Sequence, residues 1–431
     1  MPKSSAYDQC LKAMFSLRRF GIKLGLDLIA GMLAQMGNPQ DAFRCVHIAG
    51  TNGKGSVAAN LAAMLQQSGC RVGLYTSPHL VKFNERICVD GEPVGDRAVV
   101  DAYRAAMQAF QGDREPTFFE LTTAMAFFLF AREKVDWAMI ETGMGGRLDA
   151  TNIVTPSLCV ITNVSLEHTG YLGNTVAKIA AEKAGIIKAG IPVVTAVRQK
   201  SAAAVVRDRA AALGAPLYRL GEQFSVVKDR RGGFDYQGMA HRWPNLRTAL
   251  VGAHQVENAA LATAAAEVLA IKGLARIDGQ TVRQGLARTR WPGRIEIVRE
   301  RPLVILDGAH NLASSRTLAK HLAAAYRGRP ITLVVGILAD KPYQQMLANL
   351  ARVSTRIVLT RPAIDRALAP EQLQAAIAHL GRPYRIIATV GQAVAHAIDT
   401  AAADEVVCIA GSLYVVGEAK AFLAGQTPYT V

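Results

Sequence analysis

No stretch of this 431-residue sequence approaches the ~18 to 20 uninterrupted apolar residues of a membrane-spanning helix, although half of its residues are hydrophobic. That shortage argues against a membrane partner. The opening Met1-Pro2-Lys3-Ser4-Ser5 also lacks the apolar core of a secretory signal, so the expected setting is the cytoplasm. Cysteine is sparse and scattered: Cys10, Cys45, Cys70, Cys88, Cys159 and Cys408 include no C-x-x-C pair, which predicts reduced core residues rather than a disulfide framework. There is no short-period repeat, no low-complexity tail, and no Ser-His-Asp or Cys-His arrangement that would signal a protein nucleophile. Negative charge is in deficit, with 34 acidic against 49 basic residues and a formal net charge of +15. The basic residues are dispersed apart from a concentration between Arg283 and Arg301, and no aromatic-interleaved basic run accompanies them. Nucleic acid is therefore not an expected partner. What the chain does have is length enough for two or three domains, each with a substantial core.

The most informative stretch is Val46-His47-Ile48-Ala49-Gly50-Thr51-Asn52-Gly53-Lys54-Gly55-Ser56-Val57. Cys45 to Ala49 reads as a buried parallel strand and Val57 to Leu65 as a helix, so the glycines fall at a strand-to-helix turn. Such a turn suits phosphate: glycines let backbone N–H groups approach an anion, the helix N-terminus adds partial positive charge, and Lys54, read as an exposed loop lysine, adds a full one. A standard phosphate loop carries Ser or Thr directly after its lysine. Here Gly55 takes that place and Ser56 follows, so the hydroxyl that normally holds Mg²⁺ is expected from elsewhere.

Residues 1–42 read as helical, with apolar positions at Leu11, Met14, Phe15 and Leu17, then Leu24, Leu26, Leu28, Ile29, Met32 and Leu33. Beyond the phosphate loop, strands are predicted at Arg71–Tyr75, Val135–Ile140, Leu158–Val164 and Ile191–Ala196, with helices at 96–110, 118–131, 175–188 and 201–214. Three strand ends carry polar chemistry: Ser77 after the first, Glu141 after the second, and His168 beyond the third. Together they form an O, O, N donor set for a divalent cation. From Phe224 to Leu250, short alternating runs around Arg230-Arg231-Gly232-Gly233 predict a small β-hairpin beside the main sheet. An Ala-rich helix then runs from about Gly252 to Lys272. Trp291-Pro292-Gly293-Arg294 interrupts the helical pattern, and the domain limits are set at 1–296 and 297–431. The second domain has five predicted strands at 303–306, 331–335, 356–359, 384–387 and 406–409, the first ending in Asp307-Gly308-Ala309-His310-Asn311. The expected fold is thus α/β: a doubly wound N-terminal ATPase domain with its phosphate loop and hairpin, plus a smaller Rossmann-like C-terminal domain.

Taken singly, these residues have plainer readings. Ser77 can cap a turn before Pro78, His168 can be a loop histidine, Lys183 can be a solvated helix lysine, and Phe118 and Phe119 can be core. His47, His79 and His254 read as structural. Glu141 is harder to dismiss, because a carboxylate ending an apolar strand needs a partner.

In order and spacing, six blocks resemble the folylpolyglutamate synthase/dihydrofolate synthase family within the Mur ligase superfamily. They are Gly50 to Ser56, Tyr75 to His79, Glu141 to Asn152, the His168 block, Pro292-Gly293-Arg294, and Asp307 to Asn311. The resemblance implies ATP-dependent ligation of L-glutamate to a dihydropteroate or folate carboxylate, with small-molecule substrates only and a monomeric enzyme. It implies that Gly50, Thr51, Asn52, Gly53, Lys54, Gly55 and Ser56 bind ATP phosphate, that Asn258, Arg294 and Asp307 contact the nucleotide, and that Ser77, Glu141 and His168 hold Mg²⁺. Lys183 matches a lysine carbamylated in the family, and a monovalent cation is a further expected cofactor. The pterin is expected along Gly25, Leu26 and Asp27, along Thr117, Phe118, Phe119 and Glu120, and along Leu148, Asp149 and Ala150; glutamate is expected near His310 and Ser412. Phosphorylation of the acceptor carboxylate followed by amine attack needs charge neutralisation and positioning more than a nucleophile, with Lys54, Lys183 and His310 as catalytic candidates and His310 the possible base. Two rivals are a Mur-type ligase acting on another carboxylate and a nucleotide-dependent nucleic-acid-binding protein.

Overall fold

Backbone contacts divide the chain into two units: unit 1 is Met1–Ser77, Asn84–Ala249 and Gln255–Arg290, and unit 2 is Pro78–Phe83, Leu250–His254 and Trp291–Val431. The computed structural model describes residues 5–17, 25–229 and 232–426. The expected apolar position Leu24 and the turn pair Arg230-Arg231 lie outside the described residues.

In unit 1, α1 (Ala6–Ser16) and α2 (Asp27–Gln35) precede β1 (Arg44–Ala49), which is followed by α3 (Lys54–Gln67) and β2 (Val72–Tyr75). Next come β3 (Ile87–Val89), β4 (Glu92–Pro93), α4 (Asp96–Gln108), α5 (Phe118–Arg132) and β5 (Trp137–Glu141). Then follow β6 (Leu158–Ile161), α6 (Thr169–Leu172), α7 (Val176–Ala184), β7 (Val193–Thr195), α8 (Lys200–Ala212) and β8 (Leu217–Arg219). The eight strands form one sheet in the order β4-β3-β2-β5-β1-β6-β7-β8, parallel from β2 to β8 with an antiparallel β3–β4 edge. β1 lies between β5 and β6 and is buried from Cys45 to Ala49, which accounts for its near-continuous apolar run: helices cover both faces of such a sheet.

The region expected as a hairpin is a separate three-stranded antiparallel sheet of β9 (Ser225–Lys228), β10 (Phe234–Gln237) and β11 (Arg242–Leu246). Pro244 disguises β11, and it is tolerated because β11 is the sheet's edge. Wholly buried Glu267, on α9 (Ala253–Ile271), pins the turn between β10 and β11 by accepting from the backbone N–H groups of Met239, Ala240 and His241 at 3.0, 2.9 and 2.7 Å and from the Tyr236 hydroxyl at 2.7 Å. The unanticipated α10 (Gly279–Arg288) starts at Asp278, whose side chain accepts from Thr281 N at 2.8 Å, and packs on α3. Gly285 permits that approach, since a Cβ there would lie 2.7 Å from the Met64 Cα.

Unit 2 runs through β12 (Glu296–Glu300), β13 (Leu303–Leu306), α11 (Leu312–Ala325), β14 (Ile331–Val335), α12 (Tyr343–Ala351) and β15 (Arg356–Arg361). It ends with α13 (Pro370–Ile377), β16 (Tyr384–Thr389), α14 (Val390–Asp399), β17 (Val406–Ala410) and α15 (Leu413–Leu423). Its sheet has the order β12-β13-β17-β14-β15-β16, all parallel except β12. One apolar core gathers Leu318, Leu322, Leu347 and Leu350, and another gathers Val390, Val394, Val415 and Val416. β12 adds a strand to the five expected; its two apolar residues, Ile297 and Val298, are exposed and too few to mark a buried strand. Among the described residues, no helix is long and apolar enough to cross a membrane.

Candidate active site

The turn between β1 and α3 is built by constraints on its glycines. Gly50 has φ +152° and packs so tightly on Thr162 that a Cβ would fall 1.8 Å from its Oγ1; Gly53 has φ +85°, with Asn258 Oδ1 2.4 Å from where a Cβ would stand. No side chain fits at either position. Lys54 is not an exposed loop lysine. It opens α3 with a side chain only 15% exposed, donates to the carbonyls of Gly50 at 3.2 Å and Thr51 at 3.4 Å, and lies 3.7 Å from Glu141 Oε1. Glu141 is buried and reaches this place because β5 pairs with β1 in a register that puts it opposite Ile48.

Lys183 departs even further from its plain reading. It lies near the end of α7, is 4% exposed, and donates to the same Gly50 carbonyl at 2.9 Å. Burial, and secondly the Lys54 charge, push its pKa down to about 7, against the opposing pull of Glu167 and Asp149. An amine in that state is substantially neutral near pH 7.

Segment 162–165 is stitched to the turn from the β6 side. The Asn163 side chain accepts from Asn52 N at 3.0 Å and donates to Asn52 O at 2.9 Å, while Thr162 Oγ1 donates to the same oxygen at 2.7 Å. Thr51 N donates to Asn163 O at 2.9 Å and Ser165 N to Thr51 Oγ1 at 3.0 Å. Sequence reasoning missed these residues; the signal was an abrupt Thr-Asn after the apolar Leu158–Ile161 run. Ser56 is buried within α3. Ser77 is half-buried in the bend after β2, and exposed His168 caps α6 in a left-handed conformation with φ +51°. Ser77, Glu141, Lys54 and His168 thus follow the carboxyl ends of four neighbouring strands, β2, β5, β1 and β6, where ligands of open α/β sheets bind. Among the described residues no group of three His, Cys, Asp or Glu side chains gathers for a metal ion. A divalent cation would draw on the buried Glu141 carboxylate with a hydroxyl, an imidazole and phosphate oxygens, a donor set that fits it.

The three segments expected at the pterin converge, because α2, α5 and the short turn Ala150–Ile153 pack on one another. Several of their side chains are already engaged. Thr117 and Glu120 form the capping box of α5, and Arg114 grips Glu120 with two bonds at 2.9 and 2.7 Å. Buried Asp149 accepts from Met144 N at 2.8 Å, Thr151 N at 3.1 Å and the Thr151 hydroxyl, while burial pushes its pKa up. That hydroxyl is 2.8 Å from Nε2 of wholly buried His47, whose pKa burial pushes down to about 3. Phe118 stacks on Phe15 at 5.4 Å with the Arg86 guanidinium 5.1 Å above it, so it is core. Half-buried Phe119 lies against Gly143 and 6.0 Å from the Tyr75 ring. Ala150 is buried, whereas Gly25, Leu26, Asp27, Phe119 and Leu148 retain exposed surface.

In unit 2, buried Asp307 accepts from Ile295 N at 3.0 Å and Ala309 N at 2.9 Å; burial raises its pKa, chiefly opposed by the Arg294 charge. Arg294 donates to Gly293 O at 2.9 Å and leaves no room for a side chain at Gly308. His310 Nδ1 is 2.8 Å from Gly308 O, a geometry that puts the proton on Nδ1 and leaves Nε2 as an acceptor. Ser412 is buried and caps α15, accepting from Val415 N at 3.2 Å.

Two family models match the chain: Mur ligase middle domain over residues 48–266 and Mur ligase, glutamate ligase domain over residues 293–413. The chain is 37% identical over 426 residues to the dihydrofolate synthase/folylpolyglutamate synthase of Bacillus subtilis, covering 96% of this chain and 99% of that protein. Among solved structures, Escherichia coli FolC in complex with DHPP and ADP matches with a TM-score of 0.90 at 30% identity, covering 98% of this chain and 99% of that one. The bifunctional folylpolyglutamate synthase/dihydrofolate synthase of Yersinia pestis, complexed with AMPPNP and Mn ion, matches with a TM-score of 0.88 at 32% identity over 98% of each chain.

Proposed function

The chain belongs to the dihydrofolate synthase/folylpolyglutamate synthase family of Mur ligases, and from that premise we propose that it joins L-glutamate to a dihydropteroate or folate carboxylate at the expense of ATP. The observation that carries the reading is the Gly50 carbonyl, which holds the Lys54 ammonium and the Lys183 amine beside a buried carboxylate at a glycine-built strand-to-helix turn. The Lys54 charge, at the N-terminus of α3, suits the β- and γ-phosphates of a nucleotide. The acceptor carboxylate takes the γ-phosphoryl group, releasing ADP and forming an acyl phosphate. The glutamate amine then forms the C–N bond and phosphate leaves.

The residues have the following roles in this reading. Lys54 exchanges its carbonyl contacts for phosphate oxygens. Asn258, already against Gly53, contacts the nucleotide, as do Arg294 and Asp307. Ser77, Glu141 and His168 would hold a divalent cation, which would supply charge neutralisation at the phosphates. The pterin lies along Gly25, Leu26, Asp27, Phe119 and Leu148, while Thr117, Glu120 and Asp149 shape that wall from behind. Glutamate is held at His310 and Ser412, and His310 Nε2 takes the proton that the ammonium must lose. Lys183 is carbamylated: its lowered pKa supplies the neutral amine that reacts with CO₂, and the resulting anion answers the Lys54 charge. The Gly50 and Thr51 carbonyls, once released by the lysines, are the kind of ligands a monovalent cation takes. The enzyme works as a single chain in the cytoplasm, a setting consistent with six unpaired cysteines.

Purified protein should form ADP only when ATP, a dihydropteroate or folate acceptor and L-glutamate are all present. ADP release without both acceptor and amino acid, or release driven instead by a muramyl peptide, defeats the reading.

A further inference from the structure

We infer that Asn163 is a positioning residue that makes the phosphate turn and the loop carrying His168 one mechanical element, so that nucleotide and divalent cation bind cooperatively. The inference rests on the nucleotide-ligase reading above and extends it to a residue outside the phosphate loop. A standard phosphate loop keeps the cation's hydroxyl on the residue after its lysine, so phosphate seat and metal ligand move together. Here Gly55 stands in that place and Ser56 is buried, which leaves the ligand candidates on other loops.

Two of those loops are tied to the turn in different ways. Glu141 needs no further device, because β5 and β1 pair directly up to Ile48. His168 has less of it: β6 ends at Ile161, and the bonds of Thr162 N to Ala49 O and of Thr51 N to Asn163 O, both 2.9 Å, carry the backbone pairing only as far as Asn163. Side chains reinforce that pairing where it ends. The Asn163 carboxamide pairs with both backbone groups of Asn52 at 3.0 and 2.9 Å, returned by Thr51 N donating to Asn163 O at 2.9 Å. Ser165, three residues before His168, is fixed through its own backbone to Thr51 Oγ1 at 3.0 and 3.3 Å. Val164 between them is buried, and its carbonyl accepts from Gln199 Nε2 at 2.7 Å. Downstream, the His168 carbonyl accepts from Tyr171 N and Leu172 N, both at 2.9 Å, which fixes its left-handed backbone. A displacement of Asn52 by phosphate is therefore transmitted through Asn163 to the segment that ends at the imidazole.

The test is calorimetric titration of AMPPNP into the full chain, once in EDTA and once with Mn²⁺, for the wild type, Asn163→Ala and Asn163→Asp. Two lost hydrogen bonds of ordinary strength correspond to about tenfold in affinity. In Asn163→Ala, the gain in AMPPNP affinity brought by Mn²⁺ should shrink about tenfold, with a much smaller change in EDTA. Asn163→Asp keeps the acceptor for Asn52 N but sets a carboxylate against Asn52 O, and should lose at least as much of the gain. It decides the matter if the alanine variant is not folded by circular dichroism. Equal loss with and without Mn²⁺ would reduce Asn163 to a brace for the turn and overturn the inference, as would an unchanged gain. A wild type that binds no AMPPNP would sink the ligase reading itself, and this inference with it.

Discussion

Both units set polar residues at the carboxyl ends of buried parallel strands, yet they use them in opposite ways. At the tip of β1 in unit 1, the charge is the Lys54 ammonium resting on carbonyls: it shares Gly50 O with the Lys183 amine, a partner that an anion can readily replace. At the tip of β13 in unit 2, the charge is a carboxylate held by Ile295 N and Ala309 N, and beside it stands an imidazole whose Nδ1 lies 2.8 Å from Gly308 O. The difference teaches that a polar strand tip is not in itself a binding group. What matters is whether its hydrogen bonds can be exchanged for those of a ligand without unmaking the scaffold.

If unit 1 supplies exchangeable charge, its removal should cost most. Lys54→Ala is expected to lower kcat by ~10³-fold or more with far-ultraviolet circular dichroism unchanged, in line with the loss of charge stabilisation at a transferring phosphoryl group. Activity within tenfold of wild type would break the contrast. If Lys183 is carbamylated as proposed, Lys183→Ala should cost ~10²-fold and be partly restored by a short carboxylic acid, which would fill the space of a carbamate. Intact-protein mass spectrometry under CO₂ should show the added mass on the wild type alone, and rescue without it would separate the two ideas. In unit 2, His310→Gln should lower kcat by ~10²-fold with little change in the KM for ATP, as expected for loss of a general base. A change confined to the KM would make His310 a binding group instead.

Much of this was legible in the sequence, for reasons that differ residue by residue. The parallel strands announced themselves because burial on both faces demands uninterrupted apolar runs, and Glu141 stood out as a carboxylate ending one. β11 and β12 did not, since edge strands tolerate Pro244 and exposed residues. The phosphate turn was legible from its glycines, but the states of its lysines were not: the burial of Lys183 comes from the placement of α7, which no local pattern encodes. The three segments expected at the pterin do pack on one another, whereas the engagement of Thr117, Glu120 and Asp149 in caps and turns depends on geometry three residues away or across the loop. Asn163 was overlooked despite the Thr162-Asn163 break in the apolar run, because its partner Asn52 is remote in sequence and an amide carries no charge to attract notice.

The smallest expected effect concerns a polar group of unit 1 that behaves like those of unit 2. His47 sits in the phosphate strand itself, but its imidazole is wholly buried and its Nε2 is spent on Thr151, which in turn holds Asp149. Burial first, and the Lys188 charge second, hold its folded pKa near 3 against an ordinary 6.5. Between those values the unfolded chain binds a proton that the folded chain refuses. Stability from this group is therefore complete above pH 6.5 and is lost as the pH falls towards 3, to a limit of a few kcal/mol, about 1.4 kcal/mol for each pH unit. Glutamine keeps an N–H donor for Thr151 and cannot titrate. His47→Gln should thus be the less stable protein at pH 7, by ~1 kcal/mol for imperfect packing, and the gap should close or reverse by pH 4 in urea unfolding. A gap independent of pH would mean that the imidazole accepts its proton within the fold. The phosphate strand would then carry one more exchangeable charge, and the contrast between the two units would be weaker than their geometry implies.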